Sequence, residues 1–179
     1  MRKVRYSALC LGLSTALLAQ NLDLERHLKA TFIYNFAQYT EWPRQALGDQ
    51  NPFVICVAGD SFQDVLQQTV RNETIGGHPI SIKRISSPED ARTCHLIFFQ
   101  ETIPSKSVMD ILAAIATSPI LTVGEDPGFV RSGGMIRFTK SGNRIRFEIN
   151  PNVAEKASLR ISSRLLRLAD IAKLEDGGR

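Results

Sequence analysis

Phe53–Ala58 reads FVICVA and is followed at once by Gly59. Six apolar residues in a row, three of them β-branched and closed by a glycine, predict a strand buried on both faces. Residues 95–99 (HLIFF) and 120–123 (ILTV, ending at Gly124) have the same character. Helical patterns lie between these runs. Phe62, Val65, Leu66, Thr69 and Val70 share one face of a helix that Asp60 is placed to cap. A second helix is predicted over residues 108–117, capped by Ser105 or Ser107 and closed by Pro119. Gly76 and Gly77 break the chain before a further strand at residues 79–85, with Ile80, Ile82 and Ile85 facing inward. Strands alternating with helices of this length predict β-α-β units and a largely parallel sheet.

Outside this block the pattern changes. On the N-terminal side, residues 23–40 read as an amphipathic helix. Leu24, Leu28, Phe32 and Phe36 recur at i+4, with Ile33 and Ala37 beside them. Asp23 and Glu25 suit its first turn, and Pro43 stops it at or before Glu41. On the C-terminal side, residues 135–139 and Arg144–Ile149 alternate strictly. Ile136, Phe138, Ile145, Phe147 and Ile149 point one way; Arg137, Thr139, Arg144, Arg146 and Glu148 point the other. With Lys140, Ser141, Gly142 and Asn143 as the turn, this is an antiparallel hairpin with one wet face. Asn150 before Pro151 starts a helix, and Ser162 or Ser163 starts a last one. That last helix is expected to bury Ile161, Leu165, Leu168 and Ala172 and to expose Arg160, Arg164 and Arg167. The fold class is α/β: a single domain with a central mixed sheet, mostly parallel, an antiparallel C-terminal hairpin, and flanking helices.

The 179 residues, 43% of them apolar, suffice for one domain with a real core and are too few for two sizeable ones. No repeat of solenoid length occurs. Residues 1–19 read as a secretory signal peptide. Arg2, Lys3 and Arg5 precede an apolar run, residues 8–19, that is too short to span a bilayer. Cleavage is expected after Ala19, although Leu17 is a poor small residue at −3. The domain then occupies residues 20–175, and residues 176–179 form a frayed tail. Without the three basic leader residues the 22 Lys+Arg fall to 19 against 18 Asp+Glu, a net charge of +1. Bulk charge therefore gives no support for a nucleic-acid partner. Cys10 leaves with the leader. Cys56 and Cys94 remain, and an even pair in an exported chain suggests a disulfide, with two separate buried thiols as the alternative.

Catalytic chemistry has little to stand on. Gly59, Asp60, Ser61 and Phe62 resemble the nucleophile box of the GDSL hydrolases. That family takes its base from a late Asp-x-x-His, and the last histidine here is His95. A serine without a base is not an activated nucleophile. His27, His78 and His95 do not pair at i+3 or i+4, so no metal motif is present. No Walker sequence or G-x-G-x-x-G occurs, and no cofactor is expected. Arg137, Lys140, Arg144 and Arg146 form a basic row on the hairpin, read as an anion site or simply as its solvated face.

A family resemblance covers almost all of the mature chain. Residues 30–43 (ATFIYNFAQYTEWP) look like the opening signature of the YfiR family of periplasmic regulators. Residues 55–57 (ICV), 94–97 (CHLI), 120–124 (ILTVG), 133–136 (GGMI), 146–150 (RFEIN) and 159–169 (LRISSRLLRLA) follow in the same order and spacing. The resemblance implies a non-enzymatic α/β domain, often dimeric. It implies a repressor that binds the periplasmic sensor region of a membrane-bound diguanylate cyclase and holds it inactive. An outer-membrane lipoprotein can sequester such a repressor, whereupon cyclic diguanylate rises and cells turn toward biofilm.

Cys56 and Cys94 match the family's shared cysteine pair on neighbouring strands. The family's namesake carries a second pair in the stretch matching residues 125–138, where this chain has no cysteine. That stretch must be held in another way, and two-disulfide redox sensing does not carry over. Glu148 falls on the family's Phe-Glu-x-Asn block. It reads either as a partner contact or as half of an internal ion pair with Arg137 or Arg146. Trp42 reads as a partner-contact anchor or as a plug in the core. A small-ligand sensor acting through a histidine kinase or another partner is the alternative functional class.

Overall fold

The computed structural model describes residues 7–48, 51–142 and 144–172, with side chains from residue 22 onward. In chain order the elements are α1 (Ser7–Gln38), β1 (Thr40–Glu41), α2 (Arg44–Leu47), β2 (Phe53–Ala58), α3 (Gln63–Thr69), β3 (Thr74–Ile75), β4 (His78–Arg84), α4 (Pro88–Ala91), β5 (Leu96–Phe99), α5 (Ser105–Ala114), β6 (Leu121–Gly124), β7 (Ile136–Ser141), β8 (Arg144–Ile149), α6 (Pro151–Lys156), β9 (Arg160–Ile161), α7 (Ser163–Leu166) and β10 (Asp170–Ile171). The basic start of the leader and the tail at 176–179 lie outside the described residues.

Eight strands form one mixed sheet in the order β10-β8-β7-β6-β5-β2-β4-β3, and β1 pairs with β9 separately. The contiguous strands β4, β2, β5, β6 and β7 are parallel. The hairpin β7–β8 is antiparallel, with Phe138 opposite Phe147 and Arg137 opposite Glu148. This is the α/β architecture that the alternating runs predict.

The central strands serve two cores at once. Phe53, Ile55 and Val57 of β2, with Leu96 and Phe98 of β5, face α1 and α3. Val54, Cys56 and Ala58, with Ile97 and Phe99, face α4 and α5. Alternate residues of a strand point to opposite faces, so a strand covered on both sides must be apolar throughout. All six residues of β2 are buried accordingly.

Several expectations are corrected at the element ends. α1 begins at Ser7 rather than near residue 23, since no proline interrupts the backbone between 7 and 38. Phe36, Ile33 and Ala37 are buried, but Leu24 and Leu28 are exposed. Their end of α1 extends past the rim of the sheet. Asp60 does not cap α3: Phe62 holds the N-cap position, and Asp60 pairs with Arg84 instead. α5 starts at Ser105 and ends at Ala114, so neither Ser105 nor Ser107 caps it. Asn150 caps α6 by accepting from Val153 N, and Ser162 caps α7 by accepting from Leu165 N. α7 is a single turn. It buries Leu165 but leaves Leu168 exposed, because the chain turns back at once to lay β10 along β8.

Candidate functional site

The carboxyl ends of β5 and β6 open into a cleft of about 440 Å³ beside Glu25 and Lys29 of α1. β6 ends at Gly124, so Glu125 is the first residue past the sheet. Glu25 and Lys29 lie one turn apart on α1, and Lys140 comes from the β7–β8 hairpin. Lys29 Nζ sits 2.6 Å from Glu125 Oε1 and 2.8 Å from Glu25 Oε1. Lys140 Nζ lies 2.8 Å from Glu25 Oε2. Glu125 uses its other oxygen to accept from Glu101 N at 2.9 Å. Burial opposes the charge on Lys29, but the two carboxylates outweigh it and raise its pKa. Burial likewise opposes the charge on Glu25, and the hydrogen bonds from Lys140 and Lys29 prevail to lower its pKa. Helix, sheet end and hairpin are thus clasped by one ionic cluster.

The hairpin's wet face continues this cluster. Arg137 Nε donates to Glu148 Oε1 at 2.8 Å, and Arg137 also donates to Pro127 O. Arg146 donates to Asp170 Oδ1 at 3.0 Å, tying β8 to β10. Glu148 and Arg146 are therefore brought to one face but engage different partners, Arg137 and Asp170. Arg144 is exposed at the hairpin's far end. Trp42 lies apart from this face. Its ring meets Phe53 edge-on at 5.0 Å, and it packs against the core that α1 covers.

Cys56 and Cys94 form a disulfide with Cα atoms 5.9 Å apart. Both are buried among the residues beneath α5. His95, the next residue, reads the start of β2. Val54 N donates to its Nδ1 at 2.9 Å, which leaves Nε2 to donate to Ala46 O at 3.0 Å. The ring stacks on Phe53. Burial lowers its pKa, partly opposed by the bond to Ala46.

The stretch without a second cysteine pair is held by packing. Phe129 is buried against Phe99, with ring centroids 5.5 Å apart. Gly124 and Gly134 flank its ring so closely that a methyl group at either would overlap it. Gly134 is therefore more than half of a glycine pair before a strand. It makes room for the anchor of residues 125–134.

Ser61 sits where the sheet order switches direction, between β2 and β5. Gln100 Nε2 donates to Ser61 Oγ at 3.1 Å, and Arg26 donates to Ser61 O. The three histidines are engaged elsewhere, His27 with Asp23 O and His78 with Asn51 O. No histidine is thus brought to the serine. Among the described residues no group of three or more His, Cys, Asp or Glu is placed to hold a metal. A second cleft of about 370 Å³ lies beside Gly59, lined by Asp60, Arg84, Ser86 and Ile103.

The sequence model of the YfiR/HmsC-like family matches residues 26–170. The chain belongs to the YfiR/HmsC-like family. The match runs from Arg26 within α1, through Lys29, to Asp170 at the start of β10. No curated protein matches. A similar solved structure is that of a conserved domain protein from Vibrio cholerae O1 biovar El Tor strain N16961, at 14% identity and a TM-score of 0.50. The likeness covers 69% of this chain and 55% of that one, so the chain spans little more than half of that protein's length. At that identity the likeness concerns the fold alone. Among the described residues no helix is long and apolar enough to cross a membrane.

The clasp was not foreseen from sequence. Its one legible sign is the i, i+4 pair of Glu25 and Lys29 on the flank of an amphipathic helix. Glu125 and Lys140 join it only through the folding of distant strands.

Proposed function

We propose that this YfiR/HmsC-like chain is a periplasmic repressor that binds the periplasmic region of an inner-membrane signalling protein, a diguanylate cyclase, and holds it inactive. The observation that carries the reading is the family match across residues 26–170. The leader at residues 1–19 and the buried Cys56–Cys94 disulfide fit an exported protein in an oxidising compartment. The reading is non-enzymatic, with protein–protein contact as the means of action. A homodimer and a sequestering outer-membrane lipoprotein belong to the same reading. Arg137, Arg146, Glu148 and Trp42 are the residues first tested as contacts.

Such a repressor works by population shift. It must bind the inactive form of the cyclase more tightly than the active form. A difference of about 3 kcal/mol moves the balance roughly 100-fold. The test is a pull-down from membranes followed by a cyclase assay with and without the protein. Lower cyclic diguanylate and reduced biofilm in its presence support the reading. An unchanged cyclase output overturns it.

A second reading rests on the cleft beside Gly59. Open α/β sheets bind ligands outside the carboxyl ends of their strands, where the strand order switches. There the chain is a small-ligand sensor that acts through a kinase or another partner. A metabolite that raises the melting temperature without any protein partner favours it.

A further inference from the structure

The C-terminal edge of the sheet is open. β10 is the outermost of eight strands, and among the described residues none pairs with its outer side. Ile171 is the register partner of Ile149, and Ala172 N donates to Ile149 O. In a parallel ladder the residues on either side of a register position bond inward. The N–H and C=O of Ile171 itself therefore point away from β8, to the open side. Ile171 is 49% exposed and Leu168 65% exposed.

Exposed arginines lie in the segment that leads into this edge. Arg160, Arg164 and Arg167 are all exposed. Lys29, Arg84, Lys106, Arg137, Lys140 and Arg146 each have a carboxylate within salt-bridge distance. Among the described residues the three arginines have none. Arg164 lies over the ring of Tyr39 at 5.4 Å, and Arg167 donates to Ser163 Oγ. Glu41 faces Arg160 in the β1–β9 register without bonding to it, and Asp170 is taken by Arg146.

We infer that the β10 edge docks an extended acidic segment of a partner protein, which adds to the sheet as a strand beside Ile171. Its main chain meets the outward N–H and C=O of Ile171. Its apolar side chains lie against Ile171 and Leu168, and its carboxylates reach Arg164 and Arg167. Strand addition of this kind takes affinity from the backbone and specificity from the flanking side chains. An anionic lipid surface would satisfy the arginines but has no main chain to offer Ile171. The inference rests on the proposal that the chain acts by protein contact, and it names the surface.

The test titrates the full mature chain with a fluorescent peptide of alternating valine and threonine carrying two glutamates at each end. A control peptide carries lysines in their place. The acidic peptide is expected to bind and to weaken as salt rises. The Arg164→Glu/Arg167→Glu chain should bind it at least tenfold more weakly. So should Ile171→Pro, which removes the outward donor while leaving the inward bond of Ala172. Melting temperatures of both variants, measured alongside, show that they remain folded. Equal binding of the two peptides, indifference to the variants, or binding to phosphatidylglycerol vesicles in place of the peptide overturns the inference. The same double variant is then assayed for cyclase repression. Repression at the wild-type level overturns this surface while the repressor reading stands. Failure of the wild-type chain to repress removes that reading, and the peptide titration still decides the surface.

Discussion

Lys29 Nζ lies 2.6 Å from Glu125 Oε1, joining α1 to the end of β6 with side chains only 14% and 16% exposed. Charges this far out of water depend on each other. Removing one leaves the other desolvated and unpaired, which is costlier than removing both.

Lys29→Met should therefore destabilise the protein by about 1–3 kcal/mol in urea unfolding. The Lys29→Met/Glu125→Gln pair should lose less than Lys29→Met alone. Lys140→Ala, whose side chain is 62% exposed, should change stability by less than about 0.5 kcal/mol. Glu25 adds a pH signature. Its folded pKa is lowered, so its contribution is complete above the ordinary carboxylate range and is lost as pH falls through the lowered value. A clasp that contributes nothing would show Lys29→Met unfolding with the wild type.

Phe129 leads to a different kind of test. Its ring occupies the space beside Gly124 and Gly134. Gly134→Ala should cost about 1–3 kcal/mol by overpacking, since the buried ring has no room to yield. Phe129→Leu combined with Gly134→Ala should recover part of that loss. An unchanged denaturation midpoint in Gly134→Ala would show that residues 125–134 are held by something else.

These examples show what a single sequence could and could not disclose. Continuous apolar runs such as Phe53–Ala58 and the strict alternation of Arg144–Ile149 follow from burial on two faces or one, and both are legible. So are Asn150 and Ser162, whose caps are local. The two-residue strands β1, β3, β9 and β10 are not, because tertiary pairing creates them and no periodicity precedes it. Leu24 and Leu28 misled for a related reason. An amphipathic stripe says which face of a helix is apolar but not where the sheet beneath it ends. The clasp joins residues 25, 29, 125 and 140, and such separations leave no mark in a local pattern.

The disulfide is a long-range constraint of calculable size. It joins residues 38 apart in sequence. By the chain-entropy model it stabilises the fold by roughly 4 kcal/mol, through restriction of the unfolded chain. The Cys56→Ala/Cys94→Ala variant should lose about that much in guanidinium unfolding under non-reducing conditions. Dithiothreitol should destabilise the wild type by a similar amount and leave the variant unaffected. Ready alkylation of both cysteines in the untreated native protein would contradict the pairing.

His95 offers the clearest pH test. In the fold its Nδ1 must accept from Val54 N while Nε2 donates to Ala46 O, so the neutral ring fits. Protonation would set two N–H groups against each other at the start of β2. His78 on β4 is the nearby charge that also disfavours it. The folded pKa is thus lowered below the ordinary value of 6.5, chiefly by burial. The unfolded chain then binds a proton that the folded chain refuses. Stability from His95 is complete above about pH 6.5 and is lost as pH falls toward the lowered value. One proton sets a ceiling of about 1.4 kcal/mol per pH unit, and solvent at the half-buried ring reduces the slope below it. His95→Asn should flatten the decline in urea midpoint between pH 7 and pH 5. An identical decline in wild type and variant would mean that the ring takes its proton without loss, and that the bond from Val54 N is dispensable.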